Sequence, residues 1–276
     1  MDEPEFDYES AVWGEEALVP GERTIAGYRL DSALLDLPER GRLLELGCGG
    51  GRFLRGIAAA RPGLALCGID VSRRALQAAR ARTSGVEFRL AESPAAPLPA
   101  AEGEFDVVCV FDVLEHVLDP AATLREVRRV LRAGGLFHLH VPCEGDARSL
   151  WRWIPGQRGA RGLKRRLSGH VHAFRRADVF RLLESAGFTP VRERNSLHLA
   201  GNLADVALFA GLGLARRFSR ARAVTSGTVM AAAAERNGHA SPGKLAVRAV
   251  DRILWAEAAL LGRVPSWGLH LTCRRT

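Results

Sequence analysis

Apolar residues along this chain fall into two alternating rhythms: short continuous runs, and longer stretches spaced three and four apart. Thr24–Leu37 is the first stretch of helical spacing, with Ile25, Tyr28, Leu30, Leu34 and Leu35 recurring on one side. Arg42–Leu46 is a short apolar strand that meets a glycine cluster at once, and Arg52–Ala60 reads as a helix ending at Pro62-Gly63. Ala65–Ile69 is the next strand and ends at Asp70. Ser72 then offers an N-cap to a helix over Arg73–Arg82. Val86–Leu90 is a third strand, and a Pro/Ala loop runs on to Glu104. Phe105–Phe111 is almost wholly apolar, as a central parallel strand covered on both faces should be. Asp119-Pro120 opens a helix to Arg132, Gly134-Gly135 stop it, and Leu136–Val141 is a fifth strand.

This alternation predicts an α/β fold: a doubly wound, mostly parallel sheet with helices on both faces. A basic loop (Pro142–His172), a helix (Arg176–Ala186, stopped by Gly187) and a strand (Thr189–Glu193) follow. A helical stretch covers about Leu197–Gly262, and Val264–Cys273 alternates like a last strand. Residues 195–263 therefore read as a helical insertion before the final strand, not as a second domain. Residues 1–20 are acidic and loop-like, with Tyr8 and Trp13 as anchors.

Composition changes this picture little. Hydrophobic residues make up 47% and charged residues 25%, which fits a globular chain. The 39 basic residues exceed the 31 acidic ones, and a sequence pI near 10.0 favours anionic partners. The predominance of Arg over Lys also fits a biased genomic composition. Cys48, Cys67, Cys109, Cys143 and Cys273 form no C-x-x-C pair, so they read as reduced thiols of a cytoplasmic protein. The acidic N-terminus is unlike a secretory signal. His198, Asn202, Asp205 and three glycines break the apolar stretch Leu197–Ala215, which falls short of a membrane span.

The chemistry sits in four motifs. The strand Leu43-Leu44-Glu45-Leu46 feeds Gly47-Cys48-Gly49-Gly50-Gly51-Arg52, a glycine turn that opens a helix. Such a turn lets a ligand lie on bare backbone beside the positive end of the helix. A dinucleotide fingerprint would need a glycine where Arg52 stands, and the pattern is G-x-G-x-G instead. Asp70, in Ile69-Asp70-Val71-Ser72, ends the second strand, where an acid accepts hydrogen bonds from a ribose diol. Leu90-Ala91-Glu92-Ser93 ends the third. Phe105-Asp106-Val107-Val108 leads to Phe111-Asp112-Val113-Leu114-Glu115-His116-Val117, followed by Leu131-Arg132-Ala133-Gly134-Gly135.

Taken in this order, the motifs resemble class I S-adenosylmethionine-dependent methyltransferases, in particular the ubiquinone-biosynthesis O-methyltransferases and related small-molecule enzymes. The resemblance spans residues 25–141, with an echo at His170-Val171-His172-Ala173-Phe174. It departs from the family at Glu92, where G-D-A is usual, and at Ala133, which replaces a proline. It implies a Rossmann-like seven-stranded sheet whose last strand is antiparallel. One methyltransferase domain would fill residues 1–276: an N-terminal lid and helix (1–40), the cofactor core (41–141), a basic substrate lid (142–174) and the helical insertion (195–263). S-adenosyl-L-methionine would be the cofactor. Gly47, Cys48, Gly49 and Gly51 would pack on its methionine part, with Glu45 beneath. Asp70 and Val71 would meet the ribose, Glu92 the adenine, and Phe111 would pass close by. Arg29 stands where relatives place an arginine for the cofactor carboxylate.

His116 either takes a proton from a substrate hydroxyl or, with Glu115, only fixes its loop. Asp112, Glu115 and His116 match the spacing at which some relatives hold a divalent metal. His116 is kept as the candidate catalytic residue, and no metal is assigned. His170 and His172 read chiefly as residues that close their loop. The basic run from Arg158 to Arg166, with Trp151 and Trp153 upstream, reads as a substrate lid. The expected partner is a small molecule. Nucleic acid is disfavoured for want of an appended binding module, and peripheral membrane contact stays open. An RNA methyltransferase and a non-catalytic cofactor-binding protein are the alternatives.

Overall fold

A computed structural model describes residues 9, 12–93, 96–154, 157–218 and 242–276, with backbone alone at 157–161, 215–218 and 242–244. Tyr8, the side chains of Arg158 and Arg161, and residues 219–241 of the expected insertion lie outside the described residues. The strands are β1 (Gly41–Leu46), β2 (Leu64–Asp70), β3 (Val86–Leu90), β4 (Phe105–Phe111), β5 (Leu131–Pro142), β6 (Phe188–Ser196) and β7 (Gly268–Arg275). They form one sheet in the order β3-β2-β1-β4-β5-β7-β6, parallel except for β7, which runs against both of its neighbours. This is the doubly wound, seven-stranded arrangement that the sequence implies. The order reverses beside β1, where open α/β sheets bind their ligands.

The helices are α1 (Ile25–Leu34), α2 (Arg52–Ala60), α3 (Arg73–Arg82), α4 (Pro120–Val130), α5 (Gln157–Ser168), α6 (Arg176–Ser185), α7 (Leu199–Phe218) and α8 (Pro242–Leu261). Side-chain oxygens cap three of them: Thr24 accepts from Gly27 N, Ser72 from Ala75 N and Asp119 from Ala122 N. Alternate strand residues feed two cores. Leu44, Leu46, Val108 and Val110 pack with α4 and α6, while Leu43, Val107, Cys109 and Phe111 pack with α1, α2 and α3. All five cysteines are free and buried.

Several boundaries differ from the sequence reading. The helix expected to reach Arg132 ends at Val130, because Leu131 is wholly buried and pairs with Phe105 to begin β5. Gly134, expected as a helix stop, instead has φ +70° inside an irregularity where the register jumps from Phe105↔Leu131 to Val107↔Leu136. β6 extends beyond Thr189–Glu193 because it pairs along β7 as an edge strand. Its Pro190 sits beside a register shift, where a missing N–H is tolerated. The last strand starts at Gly268 rather than Val264, whose N–H still closes the turn after α8 on Leu261 O.

The largest correction concerns residues 142–172. The expected loop contains a 3-10 turn (Leu150–Arg152) and the helix α5. Leu163 and Leu167, four residues apart, pack on Phe209 and Leu212 of α7, and arginines on either side hide that short apolar stripe from a composition reading.

Candidate functional site

The glycine turn after β1 is built for close approach. Gly47, Gly49 and Gly51 have φ of +73°, +52° and +79°, a region that side chains disfavour. A Cβ on Gly47 would stand 2.4 Å from Val113 Cγ2, and one on Gly49 would stand 2.6 Å from Trp13 O. Gly51 caps α2 without a side-chain bond, and Glu45 lies beneath the turn with Oε2 unpartnered among the described residues. Burial pushes the Glu45 carboxyl well above the usual carboxylate range.

Asp70 ties the turn to β2. Gly49 N donates to its Oδ2 at 2.8 Å and Ser72 N to its Oδ1 at 2.9 Å. Burial nevertheless raises its pKa, against the hydrogen bonds from Ser72, Gly49 and Val71. The segment from Trp13 to Glu16 lies across the turn. Gly50 N donates to Trp13 O at 2.6 Å, Arg55 Nη2 donates to the carbonyls of Gly14, Glu15 and Glu16, and Arg52 pairs with Glu16. Trp13 anchors through its carbonyl. Glu9 accepts from Ser72 Oγ and from the Arg73 and Arg74 amides at the start of α3, next to Asp70.

Across the cleft, Arg29 reaches from α1 to Asp112, with Nη1 2.6 Å from Oδ2. The other Asp112 oxygen is 2.8 Å from His140 Nδ1. Burial opposes ionisation of Asp112, but Arg29 and His140 outweigh it and hold its pKa low. His138, His140 and His270 continue this polar layer between the sheet and α1. His140 rings against His270 at 4.4 Å, Ser196 Oγ is 2.9 Å from His270 Nε2, and Thr272 Oγ1 bridges His138 Nδ1 to Asp36.

The turn after β4 carries Glu115 and His116. Glu115 is wholly buried, neither oxygen has a hydrogen-bond partner among the described residues, and burial and then Asp112 raise its pKa well above the usual range. Burial, then His170, lower the pKa of His116 to about 3, so the ring is neutral at pH 7. His170 stands edge-on to it at 4.8 Å and places Nδ1 3.0 Å from Glu144 Oε1. The donor atoms of Glu115, His116 and His170 all lie within 4.8 Å of one another. A neutral His116 ring beside a carboxyl with no hydrogen-bond partner among the described residues suits a divalent cation. This geometric group contains His170 and not Asp112, which the spacing nominated and which Arg29 and His140 contact. The loop-closing role of the His170 segment is also present, since Val171 N and His172 N both donate to Glu115 O.

Behind His170 lies Lys164, within the basic run that the sequence presents as a substrate lid. Its side chain is 5% exposed, with Nζ 3.0 Å from Glu144 Oε1 and 2.8 Å from Asp205 Oδ2. The rings of Phe209, Trp151 and Trp267 surround it at 3.9, 5.0 and 5.8 Å. Burial works against its charge, but Glu144 and Asp205 outweigh that and raise its pKa.

The structure thus gathers Glu45, Gly47, Cys48, Gly49, Gly51 and Asp70 at one strand-end crevice, with Val71 just beyond. Arg29 and His116 face it from other elements. Phe111 is buried and stacked on Phe53 at 4.1 Å, and Glu92 is exposed just past β3. The sequence reading missed His140, Glu144 and the inward course of Lys164. One signal was available: His138 and His140 alternate in an otherwise apolar strand, so both face the same side.

Comparison with known proteins agrees with this geometry. The family model described as "Methyltransferase domain" matches residues 23–193. The ubiquinone biosynthesis O-methyltransferase of Ruegeria sp. (strain TM1040) is 34% identical over 163 residues, which is 56% of this chain and 64% of that protein. That of Cereibacter sphaeroides (strain ATCC 17025 / ATH 2.4.3) is 35% identical over 162 residues, which is 56% and 63%. The match spans less than two thirds of either relative. A solved S-adenosylmethionine dependent methyltransferase from Mesorhizobium loti superposes with a TM-score of 0.54 at 19% identity, covering 92% of this chain and 99% of that one, and this supports the fold alone. With more than half of its length matched by the family model, the chain belongs to the methyltransferase-domain family.

Proposed function

We propose that this protein moves a methyl group from S-adenosylmethionine to an oxygen, nitrogen or carbon of a small molecule, such as a quinone, a polyketide-like metabolite or a lipid or glycan precursor. Family and fold imply that cofactor. The observation that carries the reading is the positive-φ glycine turn whose Gly49 amide is held by Asp70. It leaves bare backbone for the methionine part beside an acid for the ribose. Gly47, Cys48, Gly49 and Gly51 are assigned to the methionine part, Glu45 to the support beneath, Asp70 and Val71 to the ribose, and Glu92 and Phe111 to the neighbourhood of the adenine and sulfonium.

The sulfonium is already a good leaving group. The protein therefore has to hold the acceptor in line with the methyl and exclude water, which is mostly orientation. His116 is assigned to the acceptor side. A ring whose pKa is about 3 is a poor store for a proton but has the charge state of a metal ligand. Glu115, His116 and His170 would hold a divalent cation if one is used, and such an ion lowers the pKa of a bound hydroxyl.

Residues 1–40 are assigned as an N-terminal lid and helix, 142–174 as a substrate lid on the 41–141 core, and 195–263 as the helical insertion. Among the described residues, no helix is long and apolar enough to cross a membrane. Leu245, Val247, Val250 and Ile253 are exposed on α8 beside the exposed Arg248 and Arg252, which favours peripheral contact with an anionic lipid surface. A cytoplasmic location fits these assignments.

Calorimetric titration with S-adenosylhomocysteine, run beside NADH, tests the reading. Micromolar binding of the first and none of the second is expected; NADH binding alone would overturn it. Asp70→Ala is expected to weaken S-adenosylhomocysteine binding by about 1.5–3 kcal/mol, the worth of hydrogen bonds to a charged group. Unchanged affinity would remove Asp70 from the site. Because the Asp70 pKa is raised, affinity should also fall with acid at a higher pH than an ordinary aspartate would dictate.

A further inference from the structure

Arg29 and Asp112 form an ion pair with an unfilled side. Arg29 Nη1 is taken by Asp112, whereas its Nε is buried and has no hydrogen-bond partner among the described residues. A guanidinium held at one nitrogen offers the rest of its planar fork to a carboxylate. Asp112 is itself held firmly. It has φ +54°, a strained conformation for a residue with a side chain, and its amide donates to His140 O at 3.2 Å. Its second oxygen lies on His140 Nδ1, and His140 is wholly buried against His270, which Tyr28 and Ser196 enclose. The carboxylate therefore has a fixed place, and it sits at the end of β4, at the crevice where the glycine turn opens.

We propose that Asp112, backed by His140, is a positioning residue that aims Arg29 at the amino-acid head of the cofactor. The pair thereby selects ligands that carry this head over nucleoside thioethers that lack it. This rests on the methyl-donor reading above. Without Asp112, Arg29 is a long side chain with many rotamers, and its ordering must come out of the binding energy. With Asp112 the fork is already set. The Arg29–Asp112 contact also explains why this acid is not grouped with Glu115 and His116.

The test compares S-adenosylhomocysteine with 5′-methylthioadenosine, which keeps adenosine and the thioether but lacks the amino-acid head. Calorimetric titration of the full chain should show the wild type favouring S-adenosylhomocysteine by at least about tenfold, as expected for contacts to a charged group. Asp112→Asn, of nearly the same shape, should weaken S-adenosylhomocysteine about tenfold and leave methylthioadenosine within about twofold. Arg29→Met should do the same, and the double variant should be no worse than Arg29→Met, because Asp112 acts through Arg29. Retained methylthioadenosine binding reports an intact adenosine site. Should Asp112→Asn fail to fold, Asp112→Glu, which keeps the charge but displaces it, should still narrow the preference. An unchanged preference in a folded Asp112 variant, equal weakening of both ligands, or a further loss in the double variant would each overturn the proposal. If the wild type binds neither ligand, the methyl-donor reading fails first and this one falls with it.

Discussion

Acidification from neutral pH toward pH 5, in the presence of a chelator, is expected to lower the stability of this protein by roughly 1–3 kcal/mol per pH unit. The cause is a set of histidines that burial keeps neutral. The pKa values of His116 and His138 are lowered to about 3, His140 is lowered, and His270 is lowered well below the usual range. In the unfolded chain each titrates near 6.5. Between these values the unfolded state binds more protons than the folded one, so unfolding free energy falls as pH falls. Glu45 and Glu115 act in the opposite direction, because burial raises their pKa values well above the usual range and the folded state holds protons that the unfolded state has released. They offset part of the histidine effect in this window without cancelling it. Below the ordinary glutamate range, Glu144 adds to the loss, since His170 and then Lys164 bring its pKa to about 2 despite burial. Urea midpoints between pH 7 and 5 measure this, and His138→Gln should flatten the dependence. A midpoint that does not move would show that the buried histidines are not held neutral.

Lys164→Met is expected to destabilise the folded chain by about 3–5 kcal/mol, because it leaves Glu144 and Asp205 facing each other without their cation. The loss should begin locally. α5 is joined to α7 mainly through Lys164 and the small cluster of Leu163, Leu167, Trp151, Phe209 and Leu212. Amides of α5 should therefore exchange faster before the sheet does, which hydrogen exchange would resolve. Adding Glu144→Gln to Lys164→Met should restore part of the stability by removing one orphaned charge, a coupling that a double-mutant cycle reads directly. A Lys164→Met protein as stable as the wild type, with unchanged exchange in α5, would mean that this lysine does not fasten the lid.

Much of the fold is legible in the chain because its signals are local. A near-continuous apolar run such as Phe105–Phe111 can be satisfied only by burial on both faces, and Ser72 and Asp119 announce the starts of their helices through bonds from amides three residues on. The glycine turn is equally local, since Gly47, Gly49 and Gly51 record backbone angles. Where the sequence misplaced an element, a distant partner had decided it. Leu131 extends β5 because Phe105 lies opposite. β6 runs to Ser196 because β7 continues beside it.

The same division holds for the site. By itself the sequence determined the fold class, the ligand-facing turn and the acid at Asp70, because each depends on residues within one strand–turn–helix unit. Only the tertiary structure decided what the long side chains do. Asp112 and Glu115 are three residues apart in one motif, yet Arg29 from α1 and His140 from β5 claim the first, while His170 joins the second. Lys164 lies in a run of arginines that reads as a substrate lid, yet its side chain is buried because Glu144 and Asp205, from two other segments, supply the charge that makes burial tolerable. Charge and reach are visible in a sequence, but the partner that answers a charge is set by packing across the fold.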